Sequence, residues 1–290
     1  MTWRIVAKKD FRDAVQSRAL WALVAVFVIV SVLSSFAYVE APELFGEPGG
    51  ATFGGLLFFT AGIASLFVPI AAIVGCYKSV AGERELGSIK LLCSLPTTRA
   101  DVFAGKVLGR AAVLGFGLGV GLIVGLGFGA AMLGALDVVA AITFLFVTLA
   151  FVAVYATIVV GLSATTGSTS RATTLALGFF VVFELLWDAV VLGILYVAGG
   201  FSMPNPATMP EWAFTVSQIP PSAAYFSSIV ALLPDLASRA NAEPAQAGTE
   251  AGAAGGESFF ASPEIGFVVL ACWLVLPLVV GYVRFDTADL

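Results

Sequence analysis

Six long apolar runs divide the chain, over residues 19–39, 53–77, 108–133, 138–162, 172–198 and 265–283. Each is long enough to cross about 30 Å of hydrocarbon as a helix that rises about 1.5 Å per residue. The pattern predicts an all-α integral membrane protein with six transmembrane helices in one domain over 1–290. Ahead of the first run, Trp3, Val6, Ala7, Phe11 and Ala14 fall opposite Arg4, Lys8, Lys9 and Arg12, which predicts an interfacial helix over 1–18. Asp10 intrudes on its apolar side and Ile5 on its polar side.

The segment 78–107 breaks the apolar rhythm. Leu86, Ile89, Leu92 and Cys93 recur at helical spacing among Glu83, Arg84, Glu85 and Lys90, the pattern of a short helix lying parallel to the membrane surface. Pro96 stops that helix, and Thr98 followed by Asp101 matches a capping box for a helix that leads through Lys106 and Arg110 into the third span. That span carries Gly115, Gly117, Gly119, Gly121, Gly125, Gly127 and Gly129, which predicts close helix packing on more than one face. Residues 199–263 form the longest segment outside the spans. Within it, Pro221 to Leu236 is apolar enough for a short helix on or dipping into the outer leaflet, but too short to span.

Composition agrees with this reading and charge orients it. The chain is 59% hydrophobic and 11% charged, with a mean hydropathy of +1.00, far from the roughly 25% charged residues of a soluble domain. Lys and Arg stay on the cytoplasmic side during insertion. With the N-terminus inside, Arg239 is the one basic residue of the fourteen placed outside. Six spans then return the C-terminus to the cytoplasm, making the chain a multi-pass protein of the plasma membrane with both termini inside. The acidic residues Glu40, Glu43, Glu47, Asp137, Glu211, Asp235, Glu243, Glu250, Glu257 and Glu264 fall in the outer loops, and a net charge of -5 argues against a nucleic-acid partner.

Much chemistry is excluded. The chain has no histidine, which removes Ser-His and Cys-His nucleophile pairs and histidine metal sites, so no catalytic or metal residue is assigned. Cys76, Cys93 and Cys272 form no C-x-x-C pair. The run from Gly82 to Ser88 lacks the lysine of a phosphate loop and follows a membrane helix instead of a strand, so the chain should not bind ATP itself. Glu184 and Asp188 lie inside the fifth span at i, i+4 spacing, where a carboxylate is costly. They are candidates for a substrate path, or for structural groups hydrogen-bonded to Ser or Thr on neighbouring helices.

The order of residues in the charged segment is distinctive. Glu83-Arg84-Glu85-x-Gly87-Ser88-x-Lys90, then Leu95-Pro96-x-x-Arg99, then Gly105-Lys106, resembles the first cytoplasmic loop of type-2 ABC transporter permeases. It is most similar to the branch that includes the nitrous-oxide-reductase maturation permease. The resemblance extends to the N-terminal helix, the six spans and the long outer segment. It implies that this loop is a coupling helix seated on a separate ABC ATPase, which holds ATP and Mg while this chain binds no cofactor. Glu83, Arg84, Glu85, Gly87 and Lys90 inherit the docking role, and Pro96, Arg99 and Lys106 complete the coupling set. It also implies export by a dimer of permeases, most simply a homodimer. A different class, a proton-coupled secondary transporter using Glu184 and Asp188, stays open at this point, as does a membrane scaffold. Copper, sulfur species, lipid, drug and peptide all stay open as substrates.

Overall fold

The computed structural model describes residues 3–41, 50–87, 98–202, 210–233 and 262–288. All regular structure among them is helical. Helix α1 covers Trp3–Val15, α2 Arg18–Glu40, α3 Phe53–Cys76, and a short α4 Ala81–Glu85. Helix α5 runs over Arg99–Leu133, α6 over Val138–Ala164 and α7 over Thr169–Phe180, which continues as a π-helical turn, Val181–Leu185, into α8, Trp187–Ala198. Beyond these come α9 (Glu211–Ser217), α10 (Pro221–Leu232) and α11 (Ile265–Asp286).

Five helices are long and apolar enough to cross a membrane, and the bent pair Thr169–Leu185 and Trp187–Ala198 makes a sixth span if it is taken as one. The run expected over 172–198 is thus not one straight helix: its two halves differ in direction by 55°. The cause is local. The N–H of Leu186 reaches back to the carbonyl of Val181 at 2.9 Å, one residue further than in an α-helix, which inserts an extra residue into the turn.

Helix α5 organises the bundle. Its 35 residues extend about 52 Å, well beyond the hydrocarbon thickness, because the helix starts at Arg99 and not near 108. The expected capping box causes the early start: the Thr98 side chain accepts from Asp101 N while Asp101 reaches back to the Thr98 N–H. Gly134, at φ +64°, closes the other end in the left-handed region that favours glycine.

Along one face of α5, Gly105, Gly109, Gly117, Gly121, Gly125 and Gly129 are spaced in multiples of four. A Cβ at Gly105 would lie 2.6 Å from Val6 Cβ, one at Gly121 2.8 Å from Phe27 Cβ, and one at Gly125 2.4 Å from Ser31 Cβ. Helices α1 and α2 therefore lie in succession along α5, in the same direction, with backbones almost touching. Helix α1 is thus packed against the first turns of α5. Ser35 Oγ adds a bond to the Gly125 carbonyl at 2.9 Å.

On its other side α5 meets α6, and α6 meets α3 and α11. The α6–α11 contact is also backbone to backbone: a Cβ on Gly161 would meet the Pro277 carbonyl oxygen at 2.7 Å, and one on Gly281 would meet Gly161 Cα at 2.7 Å. The core between these helices holds Leu56, Phe144, Phe151, Tyr155 and Tyr225, all essentially buried.

The glycine stripe can be tested directly. Gly125→Ala should drive α2 off α5 and lower the thermal midpoint of the detergent-solubilised protein, by roughly 2 kcal/mol or more of overpacking. Gly127→Ala meets nothing within 4 Å and should be neutral, or stabilising by about 0.5–1 kcal/mol through lost backbone freedom in the unfolded chain. Equal effects of the two changes would contradict this packing.

Candidate functional site

The elbow between α3 and α5 is where the charged segment takes shape. The chain turns at Tyr77–Val80, where Ser163 of α6 accepts from the N–H groups of Val80 (3.3 Å) and Ala81 (3.0 Å) and donates to the Tyr77 carbonyl (2.7 Å). That hydroxyl secures a bend whose backbone groups are out of reach of water. Helix α4 then presents three consecutive charged residues, each with its own partner.

Glu83 pairs with Lys106 of α5 at 2.6 Å. Its Lys106 side chain is 3% exposed and its own 31%, so a buried ammonium is held by a carboxylate at the edge of solvent. Arg84 donates to the Ala164 carbonyl at the end of α6 (3.2 Å) and lies against Gly167. Glu85 accepts from the first N–H of α7, at Thr169, at 2.8 Å. Bonds from Thr169, through its side chain and its backbone N–H, hold the Glu85 carboxyl below the usual carboxylate range. A carboxylate at a helix start also meets the positive end of the helix dipole.

The basic residues of α5 are likewise engaged. Arg99 donates to three carbonyls at the end of α11: Phe285 (3.2 Å), Asp286 (2.5 Å) and Ala288 (3.0 Å). A cation at a helix C-terminus satisfies carbonyls that have no partner within the helix. Arg110 pairs with Asp10 of α1 (3.1 Å) and donates to the Gly75 carbonyl of α3 (3.2 Å). Asp101 receives the Trp3 N–H at 3.2 Å.

Gly87, at φ +71°, ends the described part of the elbow. Lys90, Pro96 and the expected surface helix lie outside the described residues. Of the expected coupling set, Glu83, Arg84, Glu85, Arg99 and Lys106 come together around this one end of the bundle, each bonded within the chain. Asp10 and Arg110 belong to the same set, and sequence reasoning missed them as a pair. The signal was Asp10 itself, an acid on the apolar side of α1 that calls for a nearby cation.

Glu184 sits elsewhere, on the π-turn. It accepts the Tyr155 hydroxyl of α6 and faces Ser222, whose hydroxyl and N–H lie at the start of α10. Asp188 is exposed on α8. Its charge is felt at the Glu184 carboxylate, so the two acids are neighbours, one half-buried and one exposed. Ser222 fits the expected hydrogen bond from a Ser or Thr of a neighbouring helix, whereas Tyr155 and Trp273 carried no signal in the sequence, because each comes from a different element. Among the described residues no group of three or more His, Cys, Asp or Glu could hold a metal ion.

Comparison with known proteins agrees with the resemblance carried by the elbow. The profile of the family described as "ABC-2 family transporter protein" matches residues 4–290. A probable ABC transporter permease protein NosY of Pseudomonas aeruginosa is 28% identical over 214 residues, 71% of this chain and 74% of the relative. The protein of the same name from Stutzerimonas stutzeri is 28% identical over 219 residues, 72% and 75% respectively.

The Glu83–Lys106 pair makes a quantitative prediction. Glu83→Ala leaves a buried ammonium without its carboxylate and should cost about 2–3 kcal/mol, below the roughly 3–5 kcal/mol of fully buried pairs because Glu83 keeps some solvent. The double change Glu83→Leu with Lys106→Met should restore most of the thermal midpoint of the solubilised protein. A double variant no more stable than Glu83→Ala would rule out the buried charge as the source of the loss.

Proposed function

The chain belongs to the ABC-2 family of transporter proteins and is an ABC transporter membrane subunit, and we propose that it moves substrate outward using ATP hydrolysed by a separate cytoplasmic ATPase. ATP and Mg are held by that partner. Two copies of the permease pair in the plasma membrane, with the elbow end and both termini cytoplasmic. The excess of Lys and Arg at the elbow end supports that orientation. Outward movement rests on the resemblance of the loop to those of exporting permeases.

One observation carries the reading: the α4–α5 elbow is joined by charged groups to α6, α7 and α11 at once. Arg84 reaches the end of α6, Glu85 the start of α7, and Arg99 the end of α11. The Glu83–Lys106 pair straps α4 to α5, so the two arms of the elbow move together. An ATPase seated on residues 78–107 that closes on ATP would displace the elbow and shift three spans together. Packed interfaces of this kind switch between discrete arrangements instead of deforming continuously, which suits a two-state lever. In this reading Glu83, Arg84, Glu85, Arg99 and Lys106 transmit motion within the permease, while the docking role assigned to Gly87, Lys90 and Pro96 rests on the resemblance alone.

The alternative, a proton-coupled secondary transporter using Glu184 and Asp188, has less support. Glu184 is engaged by Tyr155 and Ser222, and Asp188 is exposed beside it.

The lever is tested in the complex with its ATPase, with spin labels at Phe146 on α6 and Val197 on α8, both well exposed. ATP should change the label distance in the parent. Arg84→Glu should abolish that change while ATP turnover stays within about twofold, since the charge joins the elbow to α6 and its loss acts on coupling more than on assembly. Loss of the ATPase from the complex would instead assign Arg84 to docking. A distance change that needs no ATPase would remove the reading altogether.

A further inference from the structure

Helix α4 has no cap of its own. Its N-cap residue is Val80, which offers no side-chain acceptor and is among the least favoured residues at that position. Five residues are also too few for a helix to hold itself together, so the direction in which Ala81–Glu85 leaves the end of α3 has to come from elsewhere. The groups left open at this turn are the Tyr77 carbonyl, at the C-cap of α3, and the N–H groups of Val80 and Ala81, at the start of α4. One hydroxyl, that of Ser163 in α6, meets all three.

A serine hydroxyl can donate once and accept twice, and at Ser163 that whole capacity goes to another element. The hydroxyls of Thr60, Thr148 and Thr157 instead donate to the carbonyl four residues back in their own helices, at Leu56, Phe144 and Ala153. Ser163, wholly buried in the last turn of α6, forgoes that local bond for three bonds to the elbow backbone. The next residue holds the far end of α4: the Ala164 carbonyl accepts from Arg84, about one turn beyond Val80 and Ala81. Two residues earlier, Gly161 meets α11 backbone to backbone. The end of α6 therefore carries both the elbow and the last span.

We infer that Ser163 is the positioning residue of the elbow: its hydroxyl, a cap lent by α6 to both α3 and α4, sets the direction of α4 and so brings Glu83, Arg84 and Glu85 to Lys106, Ala164 and Thr169. Without that cap the turn at Tyr77–Val80 loses its fixed angle, and a push on the elbow is taken up in the turn instead of reaching α6. The part this cap plays in coupling rests on the transport reading, whereas the cap itself is measurable in the permease alone. Ser79 provides a matched comparison. It lies in the same turn, 3% exposed, and its hydroxyl bonds to no group among the described residues.

The experiment uses the full chain in nanodiscs, diluted with unlabelled chain, with Cys93 and Cys272 replaced by alanine and the buried Cys76 kept. Cysteine-linked spin labels at Leu86, just past α4, and Phe146 on α6 report the direction of the elbow, and a second pair at Ile29 on α2 and Phe146 reports the bundle; all these sites are well exposed. The parent should give one narrow distance for each pair. Ser163→Ala should widen the Leu86–Phe146 distribution about twofold, because a five-residue helix without its cap has little stability of its own, and leave the Ile29–Phe146 pair unchanged. Ser79→Ala should match the parent at both pairs. Ser163→Thr, which keeps the hydroxyl and adds one methyl group, should stay closer to the parent than Ser163→Ala. A parental Leu86–Phe146 distribution in Ser163→Ala overturns the cap, as does equal widening in Ser79→Ala or Ser163→Thr. Widening at both pairs in Ser163→Ala also overturns it, by reducing Ser163 to a general stability role. In the complex with the ATPase, Ser163→Ala should lose the ATP-driven change between Phe146 and Val197 while ATP turnover continues, and a change kept there overturns its part in coupling. A parent without that change removes the transport reading and leaves the result at Leu86 standing.

Discussion

Glycine at 105, 109, 121 and 125 lets α1 and α2 approach α5 so closely that a single methyl group at any of these positions would crowd them. In lipid there is little hydrophobic drive between helices, so contact area and backbone proximity must supply the attraction. The stripe does so over nearly the whole length of α5, and it continues past the apolar span into the part that carries charge. By holding α1 on the first turns of α5, it brings Asp10 to Arg110 and the Trp3 N–H to Asp101. A side chain larger than glycine at 105 or 109 would crowd Val6 or Asp10 and push α1 away from α5, straining the Asp10–Arg110 pair.

With that scaffold in place, the elbow end follows a simple electrostatic logic. Lys106, nearly inaccessible to solvent, needs a carboxylate, and Glu83 supplies it. Arg99 and Arg84 take up the carbonyls that α11 and α6 leave open at their ends, while Glu85 takes up an N–H that α7 leaves open at its start. Helix termini are the natural attachment points for a lever, because their unpaired polar groups accept a charged side chain without breaking any bond inside the helix. The charged residues at this end thus join the spans to one another.

The middle of the bundle works on the opposite principle. There a single carboxylate is retained in apolar surroundings because a hydroxyl from α6 and the first turn of α10 both donate to it. The π-turn that carries Glu184 also bends the span and frees α8 from the bundle. Kink, acid and the α9–α10 pair therefore meet at one place: the π-turn carries Glu184, and Trp187 just beyond it donates to the Val216 carbonyl of α9.

The apolar runs were legible as spans because the bilayer imposes length and hydrophobicity locally, whatever the neighbours are. The start of α5 was equally legible, since a capping box is closed by residues three apart, and the motif around Glu83 to Lys106 pointed to the family for the same reason: its information lies in consecutive positions. The break within 172–198 was not legible, because Val181–Leu185 has the composition of an ordinary membrane helix and only its packing selects the wider turn. Nor could the partners of Glu83, Arg99 and Glu184 be read, since Lys106, the end of α11 and Ser222 lie 23 residues or more away along the chain. By itself the sequence determined which segments are helical, how many can span, and where charge collects. Tertiary structure alone decided which charges meet, where the fifth span bends and what fills the middle of the bundle, because those outcomes depend on backbone distances between helices that no local pattern encodes.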